Sequence, residues 1–183
     1  KVLSGNLGRA VMKTSAVPHA HQIIEGPAVV FENQHDVGPA FESGELNRDC
    51  VVVVRYQGPR AIGMPELHKL MPPLGVLLDR GFKVALVTDG RLSGASGKVP
   101  SAIHVTPEAY CGGLLAKIRN GDRVRVDGVS GELSLLVDET ELASRPVERP
   151  DISAFNAGSW RELFGALREQ FTGAEQGACS VYG

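Results

Sequence analysis

Residues 83–100 of the chain read KVALVTDGRLSGASGKVP, a short apolar run that leads into a loop rich in glycine. The run 83–87 predicts a buried strand. The loop contains two hydroxyls and two cations: Ser93, Ser96, Arg91 and Lys98. Backbone N–H groups at a glycine-rich strand end, together with such donors, favour a bound anion. A plain connection between strands, rich in turn-forming residues, fits the same loop pattern.

A second strong strand is predicted at residues 50–56, where the apolar run is continuous rather than alternating, as in a central strand buried on both faces. A loop rich in glycine and proline follows, and we expect a helix to begin at Pro65 with Glu66 in its first turn. Glu66 and Ser93 would then follow two strong strands in equivalent positions and face one cleft. A helix-capping glutamate is the alternative for Glu66 on spacing alone.

The remaining pattern alternates short strands and short helices, which predicts a mixed α/β fold. Strands are expected at residues 10–17, 28–31 and 102–105, with a hairpin of strands 123–127 and 132–137. Helices are expected after Asp36, at 74–80 and at 138–144.

We expect a domain over residues 1–150, followed by a helix and tail over residues 151–183. The helix is predicted to start at the capping-box sequence around Ser159. Its apolar stripe would pack on the domain or on a neighbour; it comprises Trp160, Leu163, Phe164, Leu167 and Phe171. No order is predicted for residues 172–183.

The composition indicates an ordinary globular protein, with 43% hydrophobic and 22% charged residues and a net charge of −2 over 183 residues. This balance favours neither nucleic acid nor an anionic membrane as a partner. The three widely spaced cysteines fit no disulfide framework, so we expect a reducing cytoplasm. The chain begins at Lys1 rather than at a methionine, so we expect residues upstream to be missing. It shows no basic-then-apolar leader.

Three common catalytic or nucleotide-binding motifs are excluded by particular residues. A P-loop would need a glycine at Leu92 and a hydroxyl at Val99. The Gly-x-Gly-x-x-Gly signature follows no predicted strand, and Arg91 stands where a serine-hydrolase elbow around Ser93 needs glycine. His19 and His21 have a spacing that metal ligands use, but no carboxylate or cysteine is near, so solvated histidines are favoured.

The pattern that remains is a small anion held by Arg91, Lys98 and backbone donors, beside a divalent cation to which Glu66 contributes one oxygen. A Mg²⁺ ion needs about six oxygen ligands, so the others must come from elsewhere.

Several motifs in one order resemble the C-terminal part of the dihydroxy-acid dehydratase and 6-phosphogluconate dehydratase family, over most of residues 3–138. They are SGNL at 4–7, QGPR at 57–60, GMPEL at 63–67, TDGRLSG at 88–94 and HVTPEA at 104–109. The stretches 64–70 and 93–100 are similar to the 6-phosphogluconate branch. Ile62 and Leu114 depart from the family pattern without replacing a chemical group.

This resemblance implies a hydro-lyase that converts a 2,3-dihydroxy acid into a 2-keto-3-deoxy acid, using an iron–sulfur cluster and Mg²⁺. For the 6-phosphogluconate branch the substrate is a phosphorylated sugar acid of the Entner–Doudoroff pathway. Ser93 matches the proposed base and Glu66 a metal ligand, while Arg91, Gly94, Ser96 and Lys98 would bind substrate. A serine hydroxyl needs a nearby cation to act as a base.

The resemblance further implies a swivelling β/β/α barrel-like domain with peripheral helices that caps the active site. Its partners would be an N-terminal domain, absent from this chain, that carries the cluster, and a second subunit in a cytoplasmic homodimer. Cys50, Cys111 and Cys179 match no cluster position, and the isolated chain is expected to be inactive. The alternatives are a dihydroxy-acid or sugar-acid dehydratase domain and a non-catalytic phosphosugar-binding module.

Overall fold

Eight β-strands close into a barrel in the computed structural model, which describes residues 1–93, 97–147, 149–153 and 161–180, with only the backbone for 161–163. The strand order around the barrel is β1-β2-β6-β5-β4-β3-β7-β8. The strands are β1 Val2–Gly5, β2 Gly8–Val11, β3 Ile23–Phe31, β4 Cys50–Val54, β5 Val84–Thr88, β6 Ser101–Thr106, β7 Arg123–Asp127 and β8 Glu132–Leu135. The predicted mixed α/β, barrel-like class with peripheral helices is confirmed.

The barrel combines a parallel half with an antiparallel half. Strands β3, β4, β5 and β6 pair in parallel, whereas β1–β2, β2–β6, β3–β7 and β7–β8 pair antiparallel. One parallel pair, Ser4 with Glu132, joins β1 to β8 and closes the ring. The hairpin predicted at residues 123–137 is β7–β8.

Strand β4 is buried along its whole length, as its continuous apolar run predicts. Val51 and Val53 belong to the hydrophobic cluster inside the barrel, whereas Val52 and Val54 pack in a second cluster outside it. Parallel strands covered on both faces lack polar positions, because neither face meets water. The outer cluster attaches the helices at residues 37–42 and 71–79 to the barrel wall.

In the described residues, five α-helices lie around the barrel: α1 Val37–Glu42, α2 Pro59–Ile62, α3 Met71–Asp79, α4 Glu139–Ser144 and α5 Arg161–Arg168. Six 3-10 helices supplement them: His19–His21, Gln34–Asp36, His68–Leu70, Ala109–Cys111, Leu114–Lys117 and Ala174–Gln176. None of the helices in these described ranges is both long and apolar enough to cross a membrane.

Several sequence-predicted boundaries are wrong for local reasons. Helix α3 begins at Met71, not Leu74, because prolines in a first turn replace N–H groups that lack helical partners anyway. Strand β2 ends at Val11 instead of continuing to residue 17. Strand β3 starts early, at Ile23, because residues Ile23–Pro27 pair with β7 before the chain pairs with β4. Asp36 makes no side-chain cap for α1.

The C-terminal segment is more ordered than its sequence predicts. The predicted capping box at Ser159 lies outside the described residues, but helix α5 is present, with Phe164 and Leu167 exposed. Residues 172–179 form a loop whose ends are joined, since the Thr172 N–H donates to the Cys179 carbonyl over 3.0 Å and the Cys179 N–H donates to Thr172 Oγ1 over 2.9 Å. The sequence pattern has no readable order over residues 172–183, so this loop could not be predicted from it.

Candidate functional site

The candidate site is formed by the two segments that follow strands β4 and β5. Helix α2 ends at Gly63, whose φ is 80°, and Met64 follows with a φ of 50°. These two left-handed residues turn the chain so that Glu66 pairs with Arg91 as an isolated parallel bridge. The prediction of a helix from Pro65 is wrong, because residues 65–67 are held to the β5 loop, including by the Leu67 N–H donating to the Arg91 carbonyl over 3.2 Å.

Three of the sequence-predicted site residues converge in this place. Glu66 Oε1 accepts a hydrogen bond from the Ser93 backbone N–H over 2.8 Å. Its other oxygen, Oε2, accepts from Arg91 Nη1 over 2.9 Å. Arg91 Nε in turn donates to the Met64 carbonyl over 2.8 Å. Glu66 and Ser93 are therefore in contact, whereas the expectation that their side chains face one cleft stays a prediction.

The other predicted substrate-binding residues lie differently. Lys98 donates through Nζ to Asp79 at the end of α3, and both side chains are substantially exposed. Gly94 and Ser96 lie outside the described residues. A role for Lys98, Gly94 and Ser96 in binding a substrate stays a prediction.

Glu66 fits the role of a single oxygen ligand to a divalent cation. A carboxylate can accept about four hydrogen bonds or metal contacts, and the described residues place one donor on each Glu66 oxygen. Its side chain is 34% exposed, which leaves room for an ion. In the described part of the chain, no group of three or more His, Cys, Asp or Glu residues could hold a metal by itself.

The described cysteines do not fit an iron–sulfur cluster. Cys50 is buried in β4, where desolvation raises the pKa of its thiol to about 11. Cys111 is exposed on a 3-10 helix, and Cys179 closes the C-terminal loop. Cluster ligands are thiolates gathered around one centre, and these three residues belong to separate elements.

Asp89 joins three segments beneath the site and was missed by the sequence reasoning. Its oxygens accept backbone hydrogen bonds from Tyr56 over 3.2 Å, from Gln57 over 2.8 Å and from Ala109 over 3.0 Å. The carboxyl is fully buried, and this burial raises its pKa to about 7, against the opposing effect of the backbone donors. An aspartate directly after a buried strand was the signal that could have identified it.

Glu108 performs a similar function for helix α2. It is 6% exposed and accepts the backbone N–H groups of Arg60 over 3.0 Å and Ala61 over 3.4 Å. Its carboxylate fits there only because Gly58 has no side chain: a Cβ on Gly58 would lie 1.9 Å from Glu108 Oε2. The sequence reasoning assigned Glu108 only to a helix start.

His104 is a further residue near the site to which the sequence reasoning gave no individual role. Its backbone N–H donates to the Gly90 carbonyl over 3.0 Å, and its φ is 58°. The pKa of the imidazole is lowered, first by burial and then by the charge of Arg91. Both effects favour the neutral form of the imidazole, which lies near the loop that carries Arg91 and Ser93.

The chain is similar to known proteins over nearly its whole length. The model of one protein family, described as dihydroxy-acid/6-phosphogluconate dehydratase C-terminal, matches residues 1–178. The chain is 76% identical to a phosphogluconate dehydratase of Escherichia coli (strain K12), in an alignment that covers 99% of the chain. It is 56% identical to a phosphogluconate dehydratase of Zymomonas mobilis, in an alignment that covers 100% of the chain. A dihydroxy-acid dehydratase of Pyrococcus furiosus is 39% identical over 93% of the chain.

The chain spans about 30% of the length of each of these relatives. The family model matches nearly the whole chain and is that of the C-terminal portion. The chain therefore belongs to the dihydroxy-acid and 6-phosphogluconate dehydratase family, as a C-terminal domain.

Proposed function

We propose that this chain is the C-terminal, active-site-capping domain of a 6-phosphogluconate dehydratase. The reaction removes the proton from C2 of 6-phosphogluconate and hydroxide from C3, which together leave as water. The resulting enol takes up a proton at C3 as its own O–H proton departs, which gives 2-keto-3-deoxy-6-phosphogluconate. The chain supplies one side of the site, and the isolated domain is inactive.

The observation that carries this proposal is the difference in similarity between two kinds of relative. Identity is 76% and 56% to proteins named phosphogluconate dehydratase, but 39% to a protein named dihydroxy-acid dehydratase. The second kind supports the alternative, a dihydroxy-acid or sugar-acid dehydratase domain. Both alternatives use the same pair of residues, Glu66 and Ser93.

Ser93 acts as the base that takes the C2 proton onto its hydroxyl oxygen. Its backbone N–H is bound by Glu66, so the position of the residue does not depend on the hydroxyl. A serine hydroxyl is a poor base unless positive charge stabilises its alkoxide. Arg91 orients the glutamate through its hydrogen bond to Oε2, and the charge for the alkoxide would come from the Mg²⁺ ion that Glu66 helps to hold.

Glu66 contributes one oxygen to a shared Mg²⁺ ion. A bound Mg²⁺ would supply positive charge beside the C2 oxygen and the substrate carboxylate, where negative charge develops as the C2 proton leaves. The remaining ligands belong to another part of the full-length protein. The proposal also includes an iron–sulfur cluster, which would be held outside the described residues. None of the roles proposed here for the described side chains depends on that cluster.

Substrate contacts in the proposal come from Arg91, Gly94, Ser96 and Lys98. The phosphate is assigned to Lys98 or a near neighbour, because a lysine ammonium binds phosphate as a point charge. The full-length protein is proposed to work in the cytoplasm as a homodimer.

The proposal is tested by the turnover of three substrates by the full-length protein: 6-phosphogluconate, gluconate and 2,3-dihydroxy-3-methylbutanoate. We expect the highest kcat/KM for 6-phosphogluconate. Ser93→Ala should abolish turnover while metal and iron content stay unchanged. Ser144→Ala, at the exposed end of α4, is the matched control and should retain full activity.

A higher kcat/KM for 2,3-dihydroxy-3-methylbutanoate than for 6-phosphogluconate would favour the alternative, a dihydroxy-acid dehydratase domain. Full activity in Ser93→Ala would remove the assigned base. Tight binding of 6-phosphogluconate by the isolated 183-residue chain in calorimetry, with no turnover by the full-length protein, would favour a non-catalytic phosphosugar-binding module.

A further inference from the structure

A cavity of about 430 Å³ lies beside the Glu66–Arg91–Ser93 group. One side is formed by Gly63, Met64, Arg91 and His104, and the other by residues 174–178 of the C-terminal loop. Its volume falls in the range of about 300–1,000 Å³ typical of small-molecule sites. Arg91 both lines the cavity and pairs with Glu66, so the cavity adjoins that pair.

The C-terminal wall is fixed to the barrel by polar contacts. Arg60 Nε donates to the Phe171 carbonyl over 2.6 Å, immediately before the loop. Arg9 of β2 forms an ion pair with Glu175 at 3.1 Å. Together with the bonds between Thr172 and Cys179, these contacts hold the wall at both ends and in its middle.

Backbone strain is concentrated on this cavity. Four non-glycine residues among those described have a positive φ, and three of them line the cavity: Met64 at 50°, His104 at 58° and Ala178 at 49°. Each such residue costs about 1–3 kcal/mol and persists only where the surroundings enforce it, commonly at ligand clamps and active sites. Three of them around one cavity point to a ligand.

The polar groups of the cavity favour hydroxyls over a further anionic group. Two of the three guanidinium nitrogens of Arg91 are bound, to Met64 and Glu66, and the described residues provide no acceptor for Nη2. The Arg91 charge is balanced by Glu66, and burial and the Arg91 charge both lower the pKa of His104, which favours its neutral form. A neutral imidazole both donates and accepts, as does an alcohol.

From this geometry we infer that the cavity binds the hydroxylated carbon chain of the sugar acid beyond its reacting carbons, with His104 and Arg91 Nη2 hydrogen-bonded to those hydroxyls and the C-terminal loop as the outer wall. This inference rests on the proposed function and adds to it a specificity-determining residue, His104, and a role for residues 172–179.

The test measures competitive inhibition of 6-phosphogluconate turnover by the full-length protein, with two inhibitors. Gluconate has the hydroxylated chain, whereas 2,3-dihydroxypropanoate ends at C3. His104→Asn keeps a residue that tolerates positive φ, so folding should be retained. We expect its inhibition constant for gluconate to rise about tenfold, as for one lost hydrogen bond. The constant for 2,3-dihydroxypropanoate should stay within about twofold.

His35→Asn, the same substitution on the exposed 3-10 helix Gln34–Asp36, is the matched control because His35 does not line the cavity. It should leave both inhibition constants unchanged. The inference is overturned if His104→Asn leaves the gluconate constant unchanged, or if it raises both constants equally.

Failure of the proposed function has a different signature, namely no turnover of 6-phosphogluconate by the wild-type protein. In that case calorimetry with gluconate compares wild type and His104→Asn directly. Weaker binding by the variant still supports the cavity assignment, and equal binding overturns it.

Discussion

The backbone N–H of Ser93 donates to Oε1 of Glu66 across 2.8 Å, so the residue assigned as the base is positioned by the residue assigned as the metal ligand. The side chain of Ser93 takes no part in this contact. Removing the Ser93 hydroxyl therefore leaves the anchor of the loop intact, whereas changing Glu66 alters both the metal ligand and the loop. The two substitutions separate chemistry from positioning.

Glu66→Gln should lower kcat of the full-length protein by about 100-fold or more and raise the Mg²⁺ concentration needed for half-maximal activity. The amide has one acceptor oxygen, so it cannot accept from both Ser93 and Arg91 and also bind a cation. Titration of activity with Mg²⁺ measures this. Glu32→Gln, which breaks an ion pair with Arg55 at 2.7 Å, is the control. Equal effects of the two substitutions would contradict a metal-ligand role.

Lys98 and Asp79 form a pair whose two members should behave differently if Lys98 binds phosphate. Lys98→Ala should raise the KM for 6-phosphogluconate about tenfold or more, because it removes a charge-assisted contact. Asp79→Asn leaves the lysine free and should lower the KM or leave it unchanged. Steady-state kinetics of both full-length variants decide the matter. An unchanged KM in Lys98→Ala would show that Lys98 does not bind the phosphate and forms only its exposed ion pair with Asp79 of α3.

Asp89 should make stability depend on pH. Its pKa is raised by burial from 3.8 to about 7 in the folded state, so between these values the folded chain binds more protons than the unfolded chain. The stability that the Asp89 carboxyl contributes is therefore fully present below pH 3.8 and is lost as the pH rises through about 7.

Asp89→Asn mimics the neutral acid and removes this dependence. The stability of the variant relative to wild type should thus rise between about pH 5 and pH 8, as measured by urea unfolding of the 183-residue chain. Curves for the two proteins that run parallel over that range would show that Asp89 does not titrate there.

Gly58→Ala should destabilise the chain by about 1–3 kcal/mol, because the new Cβ would lie 1.9 Å from Glu108 Oε2 and displace the carboxylate that binds the first turn of α2. Gly38→Ala in α1 is the control, since nothing lies within 4 Å of its added Cβ. It should be neutral or stabilising by about 0.5–1 kcal/mol. Denaturant unfolding of both variants compares them, and similar midpoints would contradict the close fit of Glu108.

Local sequence pattern was enough to predict several strands and the position of the candidate site. The continuous apolar runs of β4 and β5 identified strands buried on both faces, because a strand without polar positions has no face to turn to water. The alternation at residues 123–137 identified the β7–β8 hairpin. The motif around Ser93 and the carboxylate at Glu66 located the candidate site for the same reason: each follows a strong strand.

The tertiary structure decided what depends on residues distant in the sequence. Glu66 lies in a bridge to Arg91 rather than on a helix, because Gly63 and Met64 reverse the chain toward the β5 loop. Asp89 and Glu108 bind backbone donors from other loops, contacts that no local pattern encodes.

The C-terminal loop illustrates the same limit. Residues 172–179 carry no periodic pattern, yet they are ordered by bonds to one another and by Arg60 and Arg9, which lie more than a hundred residues earlier in the chain. A local sequence pattern predicts which residues are buried and where the chain can turn. The closure of the barrel decides which of these segments meet, and so it places His104 and the C-terminal loop around one cavity beside Ser93 and Glu66.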